Sequence, residues 1–599
     1  MQWKHKKDNL MKRILFLLLI INFSALNAMS KKANLNAVDD WEYNSTKETS
    51  DRSLNSSGSR AMPMAMAPAP KMYRSKKLGM AVGGAKDTNN FKANIENGYL
   101  PKLESITYEG QFYSHYFDTG LNGQVCKELF CPSYSTASKE NIFSKEQEYF
   151  LSVGLNSGID EADFKRKKLN LVVVLDISGS MSGSFKSYYY DKAGKKIKNS
   201  DQAKVKKMTI ANESIVAMLS HLKDDDRLGI ALFDHNAYTA KPLNLVAYSD
   251  KMAIRDHILS LQERGGTNWS KGYKEGVKLF ENISNSSEYE NRIVFLTDAM
   301  PNRGELAKDK LFGLAKSASE KGIHTTFVGV GVDFNTDLVE YVSKTKGANY
   351  FSVHSSKAFK KLLDKEFDYM VTPLVYDLEL KLDSSKYEIA GVYGSPDAKL
   401  ATGEIMKINT LFPSATEDGQ TKGGVVLLKL KKIGSGSDDI KLSVSYTDVE
   451  GKAFNNVDKI TFNTKRKDYY DNYGVQKAIL VSEYVTLMKN WLMDARAGCN
   501  DQVKWVMQDT PELMKHCMIF PPKRPLFPIM KTYERKSCNL KVSAGYKKLF
   551  QLFKQHYVSH MNILNDNSLQ EELDIIKKLL AQKTENFNQK PVDDWQLSR

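Results

Sequence analysis

The chain has 599 residues, of which 41% are apolar, and its mean hydropathy is −0.45. This length exceeds what one hydrophobic core can hold, so we expect about three or more folded regions in a mainly soluble globular protein. The formal net charge is +15, carried by Lys-rich stretches without interleaved aromatic residues or a nucleic-acid-binding motif. We interpret these stretches as solvated faces, which argues against a nucleic-acid partner.

The N-terminus carries a predicted export signal. Residues 11–28 read MKRILFLLLIINFSALNA, with a basic start, a short apolar centre and a small-residue end. The apolar run is short for a membrane span, so we predict a signal peptide over residues 1–28. An uncleaved anchor is the alternative, because Leu26 is an unusual residue three before the expected cut. No later stretch is apolar enough to cross a membrane, so we expect the periplasm, the cell surface or the extracellular medium.

Two further segments precede the first long strand. Residues 29–88 are rich in Ser, Asn, Lys, Met, Ala and Pro, a composition that predicts a disordered linker. A partner-docking segment is the less favoured interpretation of its Met-Ala-Pro repeat. Residues 89–167 contain more aromatic and apolar residues, and we expect an ordered N-terminal region there. In an oxidising compartment Cys126 and Cys131 are close enough in sequence to form a local disulfide, and two reduced buried thiols are the alternative.

A buried strand followed by oxygen-bearing side chains begins at Leu169. The sequence LNLVVVLDISGSMSG places an almost unbroken apolar run before Asp176, Ser178 and Ser180. Such a run is typical of a parallel strand covered on both faces. The three side chains follow the end of the strand on a turn that contains glycine, so they can converge on one point. An all-oxygen set of this kind is suited to a hard divalent cation.

Two later segments offer the remaining ligands. Thr267 follows Gly265 and Gly266 in RGGTNWSKG, and Asp298 ends a second buried strand in NRIVFLTDAMPNRG. Asp-x-Ser-x-Ser, a Gly-Gly-Thr loop and a strand-terminal Thr-Asp, in this order, resemble the metal-ion-dependent adhesion site of von Willebrand factor type A (VWA) domains. The alternative is that these residues merely form turns at the edge of a Rossmann-like sheet.

The resemblance implies specific roles. Ser178, Ser180 and Thr267 would bind Mg²⁺, or Mn²⁺ or Ca²⁺, through their hydroxyl groups, and Asp176 and Asp298 would act directly or through water. It also implies a doubly wound, Rossmann-like α/β domain over residues 168–372, and strands alternate with amphipathic helices along this range.

An insertion follows the Asp-x-Ser-x-Ser turn. Residues 185–200 read FKSYYYDKAGKKIKNS and leave the chain directly after the turn, so we expect them on the rim of the metal face. Tyr188, Tyr189 and Tyr190 offer contact area to a protein partner, and the lysines offer positive charge. A surface insertion without contacts is the alternative.

The last part of the chain predicts two more regions. Residues 373–465 alternate apolar and polar residues between turn signals, which indicates a β-sandwich. Residues 466–599 show helical periodicity and predict a helical C-terminal region. The sheet region, and the sequence NGYLPKLESITYEGQFYSHYF near the N-terminus, also resemble regions of secreted bacterial proteins that carry one VWA domain.

These features together predict an exported protein that binds another protein, as in cell adhesion, rather than an enzyme. By the resemblance, the metal keeps an open position that an exposed acidic residue of the partner fills. An envelope assembly scaffold is the first alternative. A metal-dependent hydrolase is less favoured, because the sequence contains no G-x-S-x-G, local Cys-His or HExxH signature.

Overall fold

The computed structural model describes most of the chain outside the N-terminal segment. The described residues are 37–44, 77–86, 88–121, 125–183, 189–190, 196–197, 205–284, 286–298, 308–330, 345–353, 356–396, 405–462, 466–497, 538–585 and 587. The predicted signal peptide (1–28) and Tyr188 lie outside these ranges.

In chain order the strands are β1 (Lys77–Val82), β2 (Gly84–Ala85), β3 (Tyr99–Leu100), β4 (Tyr116–Phe117), β5 (Cys131–Glu140), β6 (Gln147–Asp160), β7 (Lys168–Asp176), β8 (Tyr189–Tyr190), β9 (Lys196–Ile197), β10 (Arg227–Phe233), β11 (Ala237–Leu245), β12 (Tyr289–Thr297), β13 (Ile323–Val330), β14 (Asn349–Val353), β15 (Val375–Asp383), β16 (Tyr387–Tyr393), β17 (Ile405–Ser414), β18 (Thr416–Glu417), β19 (Gln420–Lys422), β20 (Val425–Lys432), β21 (Asp439–Asp448), β22 (Ala453–Thr461), β23 (Tyr469–Tyr470) and β24 (Cys538–Asn539). The α-helices are α1 (Asn89–Glu96), α2 (Tyr108–Tyr113), α3 (Lys207–Leu219), α4 (Lys251–Ser260), α5 (Trp269–Lys278), α6 (Lys308–Glu320), α7 (Ser356–Leu363), α8 (Phe367–Val371), α9 (Tyr473–Ala497), α10 (Ala544–Leu564) and α11 (Gln570–Ala581).

A seven-stranded sheet forms the centre of the α/β domain, in the order β11-β10-β7-β12-β13-β14-β2. All neighbours are parallel except the edge strand β11, which is antiparallel to β10. The strand β7 is buried on both faces. Leu171 and Val173 belong to a core shared with α3, α4, α7 and α8, whereas Val172 and Val174 belong to a core shared with α5 and α6. The apolar run therefore has no polar alternation, because helices cover both faces.

The order of strands reverses at β7. The chain proceeds from β7 to β10 on one side and later returns to β12 on the other side. In open α/β sheets, ligands bind in the crevice outside the carboxyl ends of the strands at such a point. The fold therefore places the ends of β7 and β12, where Asp176 and Asp298 lie, at this crevice.

A second, ten-stranded sheet combines strands from before and after the α/β domain. Its main order is β16-β20-β6-β1-β17-β15-β21-β22, and β5 pairs with β6 and β23. Alternate residues of these strands, among them Met80, Val153, Leu380 and Leu428, share one core. The regions 89–167 and 373–465 were expected to be separate units, but they contribute strands to one sheet, into which the α/β domain is inserted.

The segment interpreted as a linker also supplies strands. Residues 77–82 form β1 between β6 and β17 of the larger sheet, and residues 84–85 form β2 at the edge of the α/β sheet. The sequence KLGMAV is short and lies next to a low-complexity stretch, so local sequence gives little sign of β1, and its pairing with distant strands defines it. Cys126 and Cys131 are joined by a disulfide in the same region, with Cα atoms 5.8 Å apart.

The C-terminal helices cover the other face of the larger sheet. The helix α9 is buried on almost all sides, and it packs against α2, α10 and strands that include β20. Phe112 and Phe150 from the N-terminal region share a core with Tyr484, Trp491 and Phe553 from these helices. The helical region is therefore an integral layer of the sheet domain. Within the described ranges, no helix combines the length and apolarity that a membrane crossing requires.

A buried carboxylate joins this layer to the N-terminal region. Glu572 at the start of α11 accepts a hydrogen bond from Gln111 Nε2 at 2.5 Å and from the Tyr557 hydroxyl at 3.3 Å. His115 Nε2 lies 3.4 Å from the same carboxylate. Burial by itself would raise the pKa of Glu572, but His115 and Lys92 hold that pKa down at about 2. The ionised carboxylate therefore stabilises the contact between the two ends of the chain.

We expect this contact to make stability depend on pH in acid. The folded-state pKa of about 2 lies below the ordinary value of 4.5, so the contribution of Glu572 is complete above about pH 4.5 and is lost as the pH falls toward 2. Glu572→Gln should cost about 3 kcal/mol at neutral pH and should flatten this part of the profile. Urea denaturation of parent and variant at about pH 6 and about pH 3, followed by amide exchange in α11, measures both effects. An unchanged pH profile in Glu572→Gln would contradict the assignment.

Candidate metal-ion site

The end of β7 places Asp176 below a tight turn. The Asp176 side chain is fully buried, and its Oδ1 accepts a hydrogen bond from the Ser178 backbone N–H at 2.8 Å. Its Oδ2 accepts a hydrogen bond from the Thr297 hydroxyl at 2.6 Å, across the β7–β12 pair. Asp176 thus links the ends of the two strands, and the turn continues as a 3-10 helix over Gly179–Ser182.

A line of oxygen atoms runs from this turn to Asp298. The hydroxyls of Ser178 and Ser180 lie 2.9 Å apart, and Ser180 Oγ donates to Asp298 Oδ1 at 2.7 Å. Ser178 and Asp298 are each 1% exposed, whereas Ser180 is partly exposed. Four of the five predicted ligands are therefore joined by short contacts at the carboxyl edge of the sheet.

Thr267 lies in a loop that is tied to the same turn. The Gly179 N–H donates to Gly265 O at 3.1 Å, and the Arg264 N–H donates to Ile177 O at 2.6 Å. Gly265 has φ +68°, and a Cβ atom there would lie 2.7 Å from His235 Nδ1. Glycine therefore permits the bend that precedes Thr267, which is 1% exposed, in a loop that is hydrogen-bonded to the Ile177–Gly179 turn.

The helix after this loop packs very closely on the sheet. A Cβ atom at Gly272 would lie 2.5 Å from Phe233, and one at Gly276 would lie 2.4 Å from Val174. Asn268 caps the helix, because its side chain accepts a hydrogen bond from the Lys271 N–H. The glycines thus allow α5 to lie close to β7 and β10, and this position fixes the start of the helix beside Thr267.

Asp234, which the sequence analysis did not single out, organises the Thr267 loop. It is fully buried at the end of β10, and its Oδ2 accepts a hydrogen bond from Arg264 Nε at 2.9 Å. Its backbone carbonyl accepts from the Asn268 N–H at 2.6 Å. Asp234 therefore holds both ends of the 264–268 loop. The only sequence signal was its position, because a third strand of the sheet ends in an aspartate here.

Lys207 is a second residue that the sequence analysis missed. Its side chain is 1% exposed, and Nζ lies 3.0 Å from Asp298 Oδ2. Its backbone N–H donates to Gly183 O at 2.7 Å. Gly183 and Lys207 flank the insertion, so this hydrogen bond holds its two ends together. The insertion therefore leaves the fold beside the site. Within it, Tyr189–Tyr190 pair with Lys196–Ile197 as β8 and β9.

The charges at the site are not balanced. Burial and the neighbouring Asp298 raise the pKa of Asp176 to about 7. Among the described residues, two buried carboxylates face the ammonium group of Lys207, so the ionised groups carry an excess negative charge there. A divalent cation would offset that charge, and carboxylate and hydroxyl oxygens are ligands that Mg²⁺, Mn²⁺ and Ca²⁺ accept. The donor set therefore fits a hard divalent cation.

Other kinds of metal site are not found in the described part of the chain. There, no three His, Cys, Asp or Glu residues are grouped as a metal site would require. The site at β7 is not of that type, because hydroxyl groups make up much of its donor set. His556 and His560, one turn apart on α10, line a separate open cleft of about 840 Å³ and contact Glu483 and Gln476.

The family model for the von Willebrand factor type A domain matches residues 170–365. This range contains β7 from Asn170 onward, the Thr267 loop and β12. Residues 170–365 form a VWA domain. The mixed α/β sheet with helices on both faces is the fold of that domain, and VWA domains mediate protein–protein interactions.

The relatives of the VWA domain are distant in sequence. Inter-alpha-trypsin inhibitor heavy chain H2 of Mus musculus is 23% identical over 217 residues, which cover 35% of this chain and 20% of the heavy chain. An uncharacterized protein of Synechocystis sp. is 25% identical over 234 residues, which cover 38% of this chain and 49% of that protein. The match thus spans about a fifth of the heavy chain and about half of the cyanobacterial protein.

The solved structures that resemble this chain are also distant from it in sequence. A von Willebrand factor type A protein from Catenulispora acidiphila aligns over 64% of this chain and 84% of its own, with 11% identity and a TM-score of 0.40. The protein BatB from Bacteroides thetaiotaomicron aligns over 34% of this chain and 98% of its own, with 19% identity and a TM-score of 0.26.

Proposed function

We propose that this chain is an exported, non-enzymatic protein whose VWA domain binds another protein through a divalent cation. The observation that carries the proposal is the continuous line of oxygen atoms from Ser178 through Ser180 to Asp298, with Asp176 buried beneath it. Mg²⁺ is the expected ion, with Mn²⁺ or Ca²⁺ as substitutes.

The roles of the residues follow from their positions. Ser178, Ser180 and Thr267 would hold the ion with neutral oxygens, and Asp176 and Asp298 would supply negative charge directly or through water. A bound divalent cation would supply the positive charge that attracts a carboxylate, because hydroxyl ligands do not neutralise it. The partner would therefore present an exposed Asp or Glu side chain.

Asp298 would interact with the bound ion and also with the ammonium group of Lys207. Its Oδ1 faces Ser180 and its Oδ2 faces Lys207, so the carboxylate lies between the ligand set and a fixed positive charge. The ammonium group stabilises the buried carboxylates when no ion is bound. It also lowers the net negative charge that an incoming ion meets, which keeps binding reversible.

Two features support the proposed export of the chain and its selectivity for one partner. The Cys126–Cys131 disulfide is typical of a chain that folds in an oxidising compartment, which agrees with the predicted signal over 1–28. The insertion between Gly183 and Lys207 leaves the fold beside the ligand set, where loops commonly determine specificity. We therefore assign selectivity for the partner to this insertion, with Tyr188, Tyr189 and Tyr190 as contact residues.

The test begins with the ion. Calorimetric titration of the purified chain with Mg²⁺, Mn²⁺ and Ca²⁺ should give a single-site isotherm for at least one of them. Proteins cross-linked to the chain in the producing cell should then be retained by the immobilised chain in Mg²⁺ and released by EDTA. The absence of any isotherm, or retention that EDTA does not change, would refute the proposal.

The insertion provides the second arm of this experiment. Replacement of residues 185–200 by a short Gly-Ser linker should leave Mg²⁺ affinity unchanged and should weaken retention of the partner. A linker variant that retains the partner as well as the parent does would show that specificity lies elsewhere. A partner found in the same cell envelope would indicate an assembly scaffold, and one on another cell would indicate adhesion.

A further inference from the structure

A short N-terminal segment lies along the open edge of the VWA sheet. Residues 37–44, which we name the strap, run beside β11 and the turn that follows it. The Val38 N–H donates to Tyr248 O at 2.9 Å, and Val38 O accepts from the Asp250 N–H at 2.9 Å. The Glu42 N–H donates to Ala240 O at 2.8 Å. Because β11 is an edge strand, the strap satisfies backbone groups that would otherwise face solvent.

Side chains fix the middle of the strap. Asp40 Oδ2 accepts hydrogen bonds from Lys241 Nζ and Asn244 Nδ2, each at 2.8 Å. The Lys241 side chain is fully buried, so its ammonium group requires a partner of opposite charge. The Trp41 ring stacks on His257 with centroids 5.1 Å apart and an interplanar angle of 8°. These contacts specify one register of the strap on the domain.

The end of the strap reaches the residues that hold the Thr267 loop. The Tyr43 ring lies 5.4 Å from the Tyr238 ring, and the Arg264 guanidinium lies 5.7 Å and 5.1 Å from these two rings. Arg264 Nε donates to Asp234, and the Tyr238 hydroxyl donates to the same carboxylate at 3.3 Å. Tyr43 therefore covers the ion pair that fixes the start of the loop.

The loop connects this ion pair to the proposed ligands. Arg264 is followed by Gly265, whose carbonyl accepts a hydrogen bond from Gly179 in the Ser178–Ser180 turn. Thr267 lies two residues further on. A displaced strap would expose the Arg264–Asp234 pair to water, and solvent weakens ion pairs and permits the loop to move.

We propose that docking of the strap and binding of the cation are coupled through Tyr43, Arg264 and Asp234. The docked strap holds Arg264 against Asp234, which positions Thr267 for the ion. The coupling is reciprocal, so the ion also stabilises the docked strap. This inference rests on the proposed function, because it requires a cation at the Ser178–Ser180–Asp298 site.

The experiment compares Tyr43→Ala with Glu42→Ala in the full chain. Glu42 is an exposed neighbour on the strap, so its truncation is the matched control. Calorimetric titration should show Mg²⁺ affinity about fivefold weaker in Tyr43→Ala and unchanged in Glu42→Ala. Trp41→Ala is the second variant, and it should weaken affinity through displacement of the strap from His257.

Amide hydrogen exchange gives the reciprocal measurement. In the parent, Mg²⁺ should slow exchange across β11 and the strap, and in Asp176→Ala it should have no effect there. Exchange without Mg²⁺ shows whether each variant displaces the strap and whether the fold is intact.

The outcomes separate the two proposals. If the parent binds Mg²⁺ and both Tyr43→Ala and Trp41→Ala bind it equally well, the coupling is overturned and the proposed function stands. If Mg²⁺ does not change exchange at the strap of the parent, the coupling is likewise overturned. If the parent binds none of the three cations, both proposals fail.

Discussion

Asp176→Ala is expected to lower Mg²⁺ affinity by at least about 100-fold, or roughly 2.7 kcal/mol of binding free energy. The substitution removes one of two buried carboxylates and also the acceptor that holds the Ser178 N–H and the Thr297 hydroxyl. The ion would lose negative charge, and the turn that presents the serine hydroxyls would lose its anchor. Asp298→Asn should have a comparable effect, because it removes charge from the other carboxylate while it keeps its volume.

Isothermal titration calorimetry measures the loss of Mg²⁺ affinity in Asp176→Ala and Asp298→Asn, and circular dichroism checks the fold of each variant. Asp225→Ala is the matched control, because Asp225 has a half-exposed side chain just before the start of β10, at the opposite end of the sheet.

Lys207→Met should change Mg²⁺ affinity in the opposite direction. It removes a positive charge 3.0 Å from Asp298, so it should tighten Mg²⁺ binding and lower stability without the ion. Equal affinity in the parent and Asp176→Ala would remove the basis for the site.

Arg166→Met is expected to destabilise the VWA domain by about 3–5 kcal/mol. The Arg166 side chain is 1% exposed before β7, and it forms a bidentate pair with Asp226 at 2.8 Å and 2.5 Å. Asp226 also accepts hydrogen bonds from the N–H groups of Leu169 and Lys223. Loss of the guanidinium would leave a fully buried carboxylate without its main counter-charge, and such a change is among the most destabilising single substitutions.

Urea denaturation, followed by hydrogen exchange in β7 and β10, measures this loss for the domain itself. Lys168→Met is the control, because Lys168 is two residues away but its partners Asp225 and Glu288 are exposed. We expect its unfolding midpoint to match that of the parent. The pair lies at the amino end of the strands, so folded Arg166→Met should retain Mg²⁺ affinity. A variant as stable as the parent would show that Asp226 is satisfied without Arg166.

Local sequence pattern is enough to specify the central α/β domain. The run from Leu171 to Leu175 has no polar residue, which specifies a strand covered on both faces whatever its neighbours are. Parallel strands end at one edge of a sheet, so Asp176 and Asp298, each at the end of such a run, were expected to lie close together. The structure brings them to the same crevice because this placement depends only on local pattern and on the handed βα connection.

How the remaining strands combine depends on contacts between segments that are distant in sequence. Alternation of apolar and polar residues specifies that a segment is a strand and which face it buries, but it does not specify the neighbouring strand. Residues 373–465 therefore indicated a separate sandwich, whereas β1, β5 and β6 from the N-terminal part complete the same sheet. The short strands at 77–85 gave no clear signal, because their stability comes from partners that are distant in sequence.

The same physical limit applies to the residues around the site. Asp234 and Lys207 are polar residues next to a turn and at a helix start, positions where sequence predicts solvent exposure. Burial within the fold converts them into the acceptor that holds the Thr267 loop and the counter-charge of Asp298. The strap lies in a segment whose composition predicted a linker, and its order depends on Lys241 and His257 of the VWA domain. Local sequence determines strands and turns, whereas the environment of a charge is set by contacts between distant segments.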